Sequence, residues 1–151
     1  ILNNKSNFNK DTDLLLYMAS RSENISIIKK SFNKKIILID RFTDSTIAYQ
    51  HYGMGVNLNL IETLNKTLLR NINVSFTFLN IVNQKNLQKR LKQRKSLNRY
   101  DKFEMSFYNK VQRGFIKLSK KQKNKYQLIN SNLEIDKNEK LILSKINKLI
   151  K

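Results

Sequence analysis

Three groups of side chains in this 151-residue chain have the types and spacing to handle a flat, negatively charged ligand. Tyr17 and Arg21 stand four residues apart in Leu14-Leu15-Leu16-Tyr17-Met18-Ala19-Ser20-Arg21 and so share one helix face. A ring and a guanidinium side by side could hold a base, one stacking on it and the other donating to an oxygen at its edge. From spacing alone the simpler reading is a core tyrosine beside a solvated charge. Asp40-Arg41 closes the apolar run Ile36-Ile37-Leu38-Ile39, and Ser45, Thr46 and Tyr49 follow at helical spacing. A guanidinium at a strand's carboxyl end sits where open α/β sheets take ligands, and it can clamp a phosphate bidentately. Without further context the Asp40–Arg41 pair is equally a structural salt bridge, Ser45 a cap and Tyr49 a buried ring. The third group is basic. Arg94 and Arg99 lie in Leu91-Lys92-Gln93-Arg94-Lys95-Ser96-Leu97-Asn98-Arg99-Tyr100-Asp101-Lys102-Phe103-Glu104, which by itself reads as a charged solvated turn.

Composition bounds what can carry these groups. The length fits one domain, and 40% hydrophobic residues argue against disorder. No apolar run spans a bilayer and no secretory leader is visible, so no membrane partner is expected. With no cysteine, disulfides, cysteine–metal sites and cysteine nucleophiles are excluded; a cytoplasmic location is the expectation. His51 is the only histidine, which leaves no Ser-His or His-metal arrangement and suggests a loop side chain. The formal charge of +19 comes from 30 basic against 11 acidic residues. A nucleic-acid partner would account for it. The basic residues are spread along the chain, however, and Lys, Asn and Ile abound as an AT-rich genome would dictate. The favoured reading is compositional bias together with a polyanionic small substrate, with charge acting through solubility and steering.

Periodicity places the groups on elements. Asp11 is the expected N-cap of a helix running to about Lys30, with Asp13 in its first turn. Asn33-Lys34-Lys35 then turns into a β-branched, non-alternating strand over residues 36–40. A glycine-marked loop, His51 to Gly55, precedes a helix carrying Leu58, Ile61, Leu64, Leu68 and Leu69. A second strand spans Val74 to Ile81. A basic helix from Leu87 to Arg94 follows, then the polar stretch Lys95 to Lys102 and a long helix from about Phe103 to Lys120. Tyr126 to Asn130 reads as a third strand, and an amphipathic helix closes the chain. Strands separated by helices, without hairpin signals, predict a three-layer α/β/α fold with a parallel sheet.

In this order the segments resemble the motifs of thymidylate kinases. Residues 40–50 match Asp-Arg-(Tyr/Phe/His)-x-x-Ser-x-x-Ala-Tyr-Gln, and residues 15–21 match Leu-Leu-(Phe/Tyr)-x-Ala-x-Arg. The Leu91 to Glu104 stretch resembles the family's lid, usually Arg-x-x-x-Arg followed by Asp-Arg-Phe-Glu. Phe107, Val111, Gly114 and Phe115 continue the likeness to Val-x-x-Gly-Tyr-x-x-Leu. Two departures stand out: Lys102 replaces an Arg, which removes a planar fork, and Phe115 replaces a Tyr.

The resemblance implies a P-loop NTPase fold of nucleoside monophosphate kinase type, with residues 1–151 as a single domain and residues 90–104 as its lid. It implies transfer of the γ-phosphoryl of ATP to dTMP, with Mg²⁺. Tyr17 would stack on thymine and Arg21 would donate to its O4. Arg41 would bind the acceptor phosphate, while Asp40 would either hold that Arg or lie near the magnesium shell. Ser45, Thr46 and Tyr49 would line the sugar and phosphate side, the ring limiting room for a 2′-hydroxyl. Arg94 and Arg99 would be the lid cations, and metal ligands are not identified. A homodimer through helices that include the one bearing Tyr17 is also implied. No Gly-x-x-x-x-Gly-Lys-(Ser/Thr) occurs. In the family it precedes the segment resembling residues 14–21, and the chain begins at Ile1. The expectation is an N-terminally truncated domain without its first strand, phosphate-binding loop and first helix, which alone does not turn over. Related kinases of other base specificity, a basic nucleic-acid-binding protein, or a decayed kinase kept as a structural partner are the alternatives.

Overall fold

The computed structural model describes residues 7–32 and 34–150, so the expectations for Ile1 and Asn33 lie outside the described residues. Helix α1 runs from Lys10 to Lys29, and its N-cap is Asn9 rather than Asp11. The Asn9 side chain accepts from the backbone N–H groups of Asp11 and Thr12 at 3.1 and 2.8 Å. Starting the helix there puts Asp11 and Asp13 in the first turn, where the helix dipole favours negative charge. Leu14 and Met18 of α1 bury against Val56 and against Ile61 of α3 (Leu58–Leu69). Asn57 caps α3 in the same manner, accepting from the N–H of Asn59 at 2.9 Å.

Strands β1 (Thr77–Ile81) and β2 (Tyr126–Asn130) pair in parallel, Thr77 opposite Tyr126 and Ile81 opposite Asn130. The crossover between them carries α4 (Gln84–Lys92), a 3₁₀ turn (Arg99–Lys102) and α5 (Met105–Lys121). Helix α6 (Ile135–Ile150) follows β2. The parallel α/β expectation therefore holds, with one correction. Residues 36–40 pair with no strand among the described residues, so the sheet there has two strands instead of three. A strand is made by its neighbour's hydrogen bonds, and an apolar run without such a neighbour stays an isolated segment. Leu38 is accordingly 81% exposed.

The glycine-marked stretch after the Asp-Arg segment is likewise not a loop. A short helix, α2 (Thr43–Thr46), continues directly into a π-helix over Ile47–Gly53. Its wider turn shows in the bond from the N–H of Met54 to the carbonyl of Tyr49, 3.0 Å. His51 is no free loop side chain either, since its Nδ1 lies 2.8 Å from the Val56 carbonyl.

The π-helix packs along α5 more closely than ordinary side chains permit. A Cβ on Gly114 would meet Cδ2, Cγ and Cβ of Tyr52 at 2.5, 2.7 and 2.9 Å. One on Gly53 would meet the Phe107 ring at 2.5 Å. This answers why a glycine sits inside α5. Around the contact, Ala48, Tyr100, Phe107, Tyr108 and Val111 form a buried cluster, with Tyr49, Phe103 and Phe115 packed against it. Gly114→Ala is expected to lower stability by about 1–2 kcal/mol. The Tyr52 Cβ cannot swing aside, and overpacking costs about 1–3 kcal/mol, more than the ~1 kcal/mol that Ala gains as a helix former. A urea midpoint unchanged or raised in this variant would contradict the close approach.

Candidate functional site

Three arginines and an aromatic wall meet in one cavity of about 540 Å³, open between α1, the 41–50 segment, the end of β1 and the 94–101 turn. Of the residues singled out in the sequence, Tyr17, Arg21, Arg41, Ser45, Thr46, Tyr49 and Arg94 line it. Asp40 and Arg99 do not, but each touches the site through a neighbour.

Arg21 is buried, with 9% of its surface exposed, and is not the solvated charge that spacing alone suggests. Its Nη2 donates to the Thr46 hydroxyl at 2.6 Å and to the Phe42 carbonyl at 3.2 Å. Its guanidinium lies 5.0 Å from the centre of the Phe42 ring. Nε and Nη1 are buried and have no partner. Burial lowers the Arg21 pKa, against a smaller upward pull from Asp44. Buried donors in native proteins are nearly always satisfied, so these two are an unusual feature of a residue that lines the cavity. Thr46 itself is buried and serves as Arg21's anchor.

Arg41 adopts φ of 64°, a left-handed conformation rare for a residue with a side chain. This directs its guanidinium over the Tyr49 ring, 5.1 Å from the centroid. Partial desolvation alone would lower its pKa, but Tyr49, Asp40 and Tyr17 outweigh that and the net shift is upward. Tyr49 is held edge-on by Tyr100, Phe107 and Phe115, at centroid distances of 5.6, 5.9 and 6.3 Å. Tyr17 is half-buried and stands edge-on to Tyr100 at 6.2 Å, and burial pushes its phenol up.

The basic turn is tied down at both arginines. Arg94 donates to Asp101 at 2.5 Å with about half of its side chain exposed. Arg99 donates to Asp13, which is 1% exposed. Asp13 was legible only as a first-turn acid. The Tyr100 hydroxyl also donates to it, and Gln50 Nε2 lies 3.4 Å from the same oxygen. A further tie joins the Tyr126 hydroxyl of β2 to Asp44 of α2. Sequence reasoning missed Asp13, Gln50, Tyr100 and Tyr126 as site-building residues. For Asp13 the signal was present: it lies four residues before Tyr17 and eight before Arg21, on the same helix face.

Comparison with known proteins identifies the family. A family model described as thymidylate kinase matches residues 1–142. Among curated relatives, the thymidylate kinase of Wolbachia pipientis subsp. Culex pipiens is 31% identical over 137 residues, covering 89% of this chain and 65% of the relative. That of Mycoplasma capricolum is 35% identical, covering 97% of this chain and 73% of the relative. The crystal structure of thymidylate kinase from Ehrlichia chaffeensis superimposes with a TM-score of 0.71 at 31% identity, covering 97% of this chain and 69% of that one. The chain thus spans about two thirds of the length of the curated relatives it matches.

Replacing the anchor of Arg21 tests the geometry directly. Thr46→Val keeps the shape but leaves a third direction of the buried guanidinium without its acceptor, and should cost about 1–3 kcal/mol. Thr46→Ser, which retains the hydroxyl, should lose clearly less. Equal denaturation midpoints for the two variants would remove Thr46 from the site.

Proposed function

Because the chain belongs to the thymidylate kinase family, we propose that the protein carrying it phosphorylates dTMP to dTDP with ATP, and that the cavity is the acceptor site. The observation that carries this reading is one cavity lined both by Arg21, a buried guanidinium with two unpartnered donors, and by Arg41. Thymine offers an acceptor oxygen at the edge where cytosine presents an amino donor. A fixed guanidinium therefore prefers thymine, since the wrong base leaves buried donors facing donors. Tyr17 supplies the stacking face, worth about 1–3 kcal/mol. Arg41 takes the phosphate, and Tyr49 beneath it crowds the sugar, disfavouring a 2′-hydroxyl, with Ser45 completing that wall. A protein that tracks a phosphate backbone has no use for a buried, base-reading guanidinium, which sets the nucleic-acid reading second.

For the transfer itself the chain supplies positioning and charge, which is most of what phosphoryl transfer requires. Arg94, half exposed and paired with Asp101, is the cation offered to the transferring group, and Arg99 is the more deeply anchored one. Mg²⁺, when bound, would supply neutralisation of the negative charge on the phosphates. Among the described residues no group of three metal-ligating side chains occurs, and Asp40, exposed beside Arg41, is the carboxylate available to such an ion. One carboxylate fits an ion held mainly by phosphates and water. No residue of this chain forms a glycine loop for ATP phosphates, and no step is assigned to one. We also place the protein in the cytoplasm as a homodimer through α1, where Leu15 and Ile27 are more than half exposed in the single chain.

Equilibrium binding of dTMP, dCMP and dUMP to this chain tests the acceptor site. dTMP should bind at least about tenfold more tightly than dCMP, and Arg21→Met should abolish that preference. Arg41→Ala should weaken all three alike by about tenfold or more. A folded chain that binds dTMP and dCMP equally would overturn the assignment.

A further inference from the structure

One buried carboxylate ties together three elements that otherwise meet through ring and apolar contacts. Asp13 lies in the first turn of α1 and is almost wholly removed from solvent. Its Oδ1 accepts from Arg99 Nη2 and its Oδ2 from the Tyr100 hydroxyl, both in the basic turn. Gln50 of the π-helix reaches the same Oδ2 at 3.4 Å and donates to the Tyr100 oxygen at 3.0 Å. Tyr100 is 6% and Gln50 2% exposed. A carboxylate this deep persists only when every lone pair is used and an opposite charge is close.

The consequences run outward along the turn. With Tyr100 fixed, its neighbour Asp101 is fixed also. Asp101 Oδ2 accepts from the Asn98 N–H at 3.0 Å and closes a capping box, while its Oδ1 holds Arg94. From the other side the Tyr108 hydroxyl of α5 donates to the Tyr100 carbonyl at 2.7 Å. Tyr100, Asp101 and Arg94 all line the cavity.

We propose that Asp13 is a positioning residue that latches the 98–102 turn onto α1, and thereby sets where Arg94 stands at the phosphate end of the cavity. The role of Arg94 rests on the acceptor-site reading above; the latch itself does not. On this view Arg99 is the latch's cation and not a group that visits the substrate, because its departure would strand the buried Asp13. Helix α1 then carries, one turn apart on one face, the holder of the turn, the stacking ring and the base-reading guanidinium.

The turn's own sequence offers the assay. Arg94, Lys95, Arg99 and Lys102 are trypsin sites, and cleavage there reports local opening. In the 151-residue chain, Asp13→Asn is expected to raise the rate of cleavage at residues 94–102 on the order of tenfold or more, with cleavage elsewhere unchanged. Tyr100→Phe keeps the packing and removes one bond to Asp13, so it should give a smaller increase at the same sites. Should Asp13→Asn fail to fold, this variant carries the test alone. Wild-type cleavage rates in whichever variants fold, or faster cleavage throughout the chain in all of them, would overturn the latch.

A second arm asks whether the latch serves the site. Asp13→Asn should weaken dTMP several-fold while leaving thymidine, which lacks the phosphate, nearly unchanged. Equal losses for both ligands would reduce Asp13 to a structural residue and overturn its positioning role. If wild-type chain binds neither nucleotide, the acceptor-site reading fails, and the cleavage pattern still decides the latch.

Discussion

The close approach of the π-helix to α5 is the constraint on which the site depends. Two glycines, Gly53 and Gly114, bring ring and backbone into contact across the pair. That contact leaves no play in the 47–53 segment, and the segment carries both Tyr49 and Gln50. Wide π-turns let adjacent residues serve different tasks. Tyr49 forms the cavity wall beneath Arg41, and Gln50 turns to the buried Asp13–Tyr100 pair. The same packing sets Thr46 one turn earlier, against Arg21. Close-packed interiors transmit displacement instead of absorbing it, so a shift at Gly114 would reach both Thr46 against Arg21 and Tyr49 beneath Arg41.

Charge is distributed by scarcity. With 30 basic residues against 11 acidic ones, most cations have no carboxylate to pair with and stay solvated. Three of the aspartates are spent on fixing the site's frame: Asp13 on Arg99 and Tyr100, Asp44 on Tyr126, and Asp101 on Arg94. The cations left without a carboxylate partner inside the cavity are Arg21 and Arg41. An anion entering there meets guanidinium groups already held by hydroxyl, carbonyl and ring contacts, so little ordering remains to be done on binding. The wider excess of positive charge adds long-range attraction for a polyanion.

How much of this could be read from residues alone differs by kind of feature. Local signals were legible: the 126–130 strand, the long helix after the basic turn and the spacing of Tyr17 with Arg21 all rest on neighbours within one element. The motif from Asp40 to Gln50 pointed to the cavity because its residue types suit one ligand chemistry. Features created by a partner were not legible. Residues 36–40 have every strand propensity and still make no ladder, since pairing belongs to two segments and not to one. Asn9 outcompetes Asp11 as cap through geometry that propensities rank as a tie. The π-helix is written in no periodicity, because its extra residue per turn is enforced by α5. Asp13 looked like a dipole residue because its partners, Arg99 and Tyr100, lie more than eighty positions away.

The backbone at Arg41 shows what the site needs most. A left-handed conformation costs a residue with a Cβ roughly 1–2 kcal/mol, and glycine would adopt it freely. Glycine could not supply a cation. The chain therefore accepts the strain at the one position where it turns sharply from the 36–40 segment into α2 and must also present a guanidinium. Arg70, the other described residue without a glycine's freedom at positive φ, merely ends α3 and does not line this cavity. Strain at Arg41 is offset locally by the Tyr49 ring, against which the guanidinium rests, and Tyr49 is in turn gripped by three other rings. A group held so firmly in an unfavourable conformation meets its anion with its orientation already set. That pre-set orientation suits a role in placing an anion, the role proposed above for Arg41, and a cation serving solubility alone would gain nothing from it.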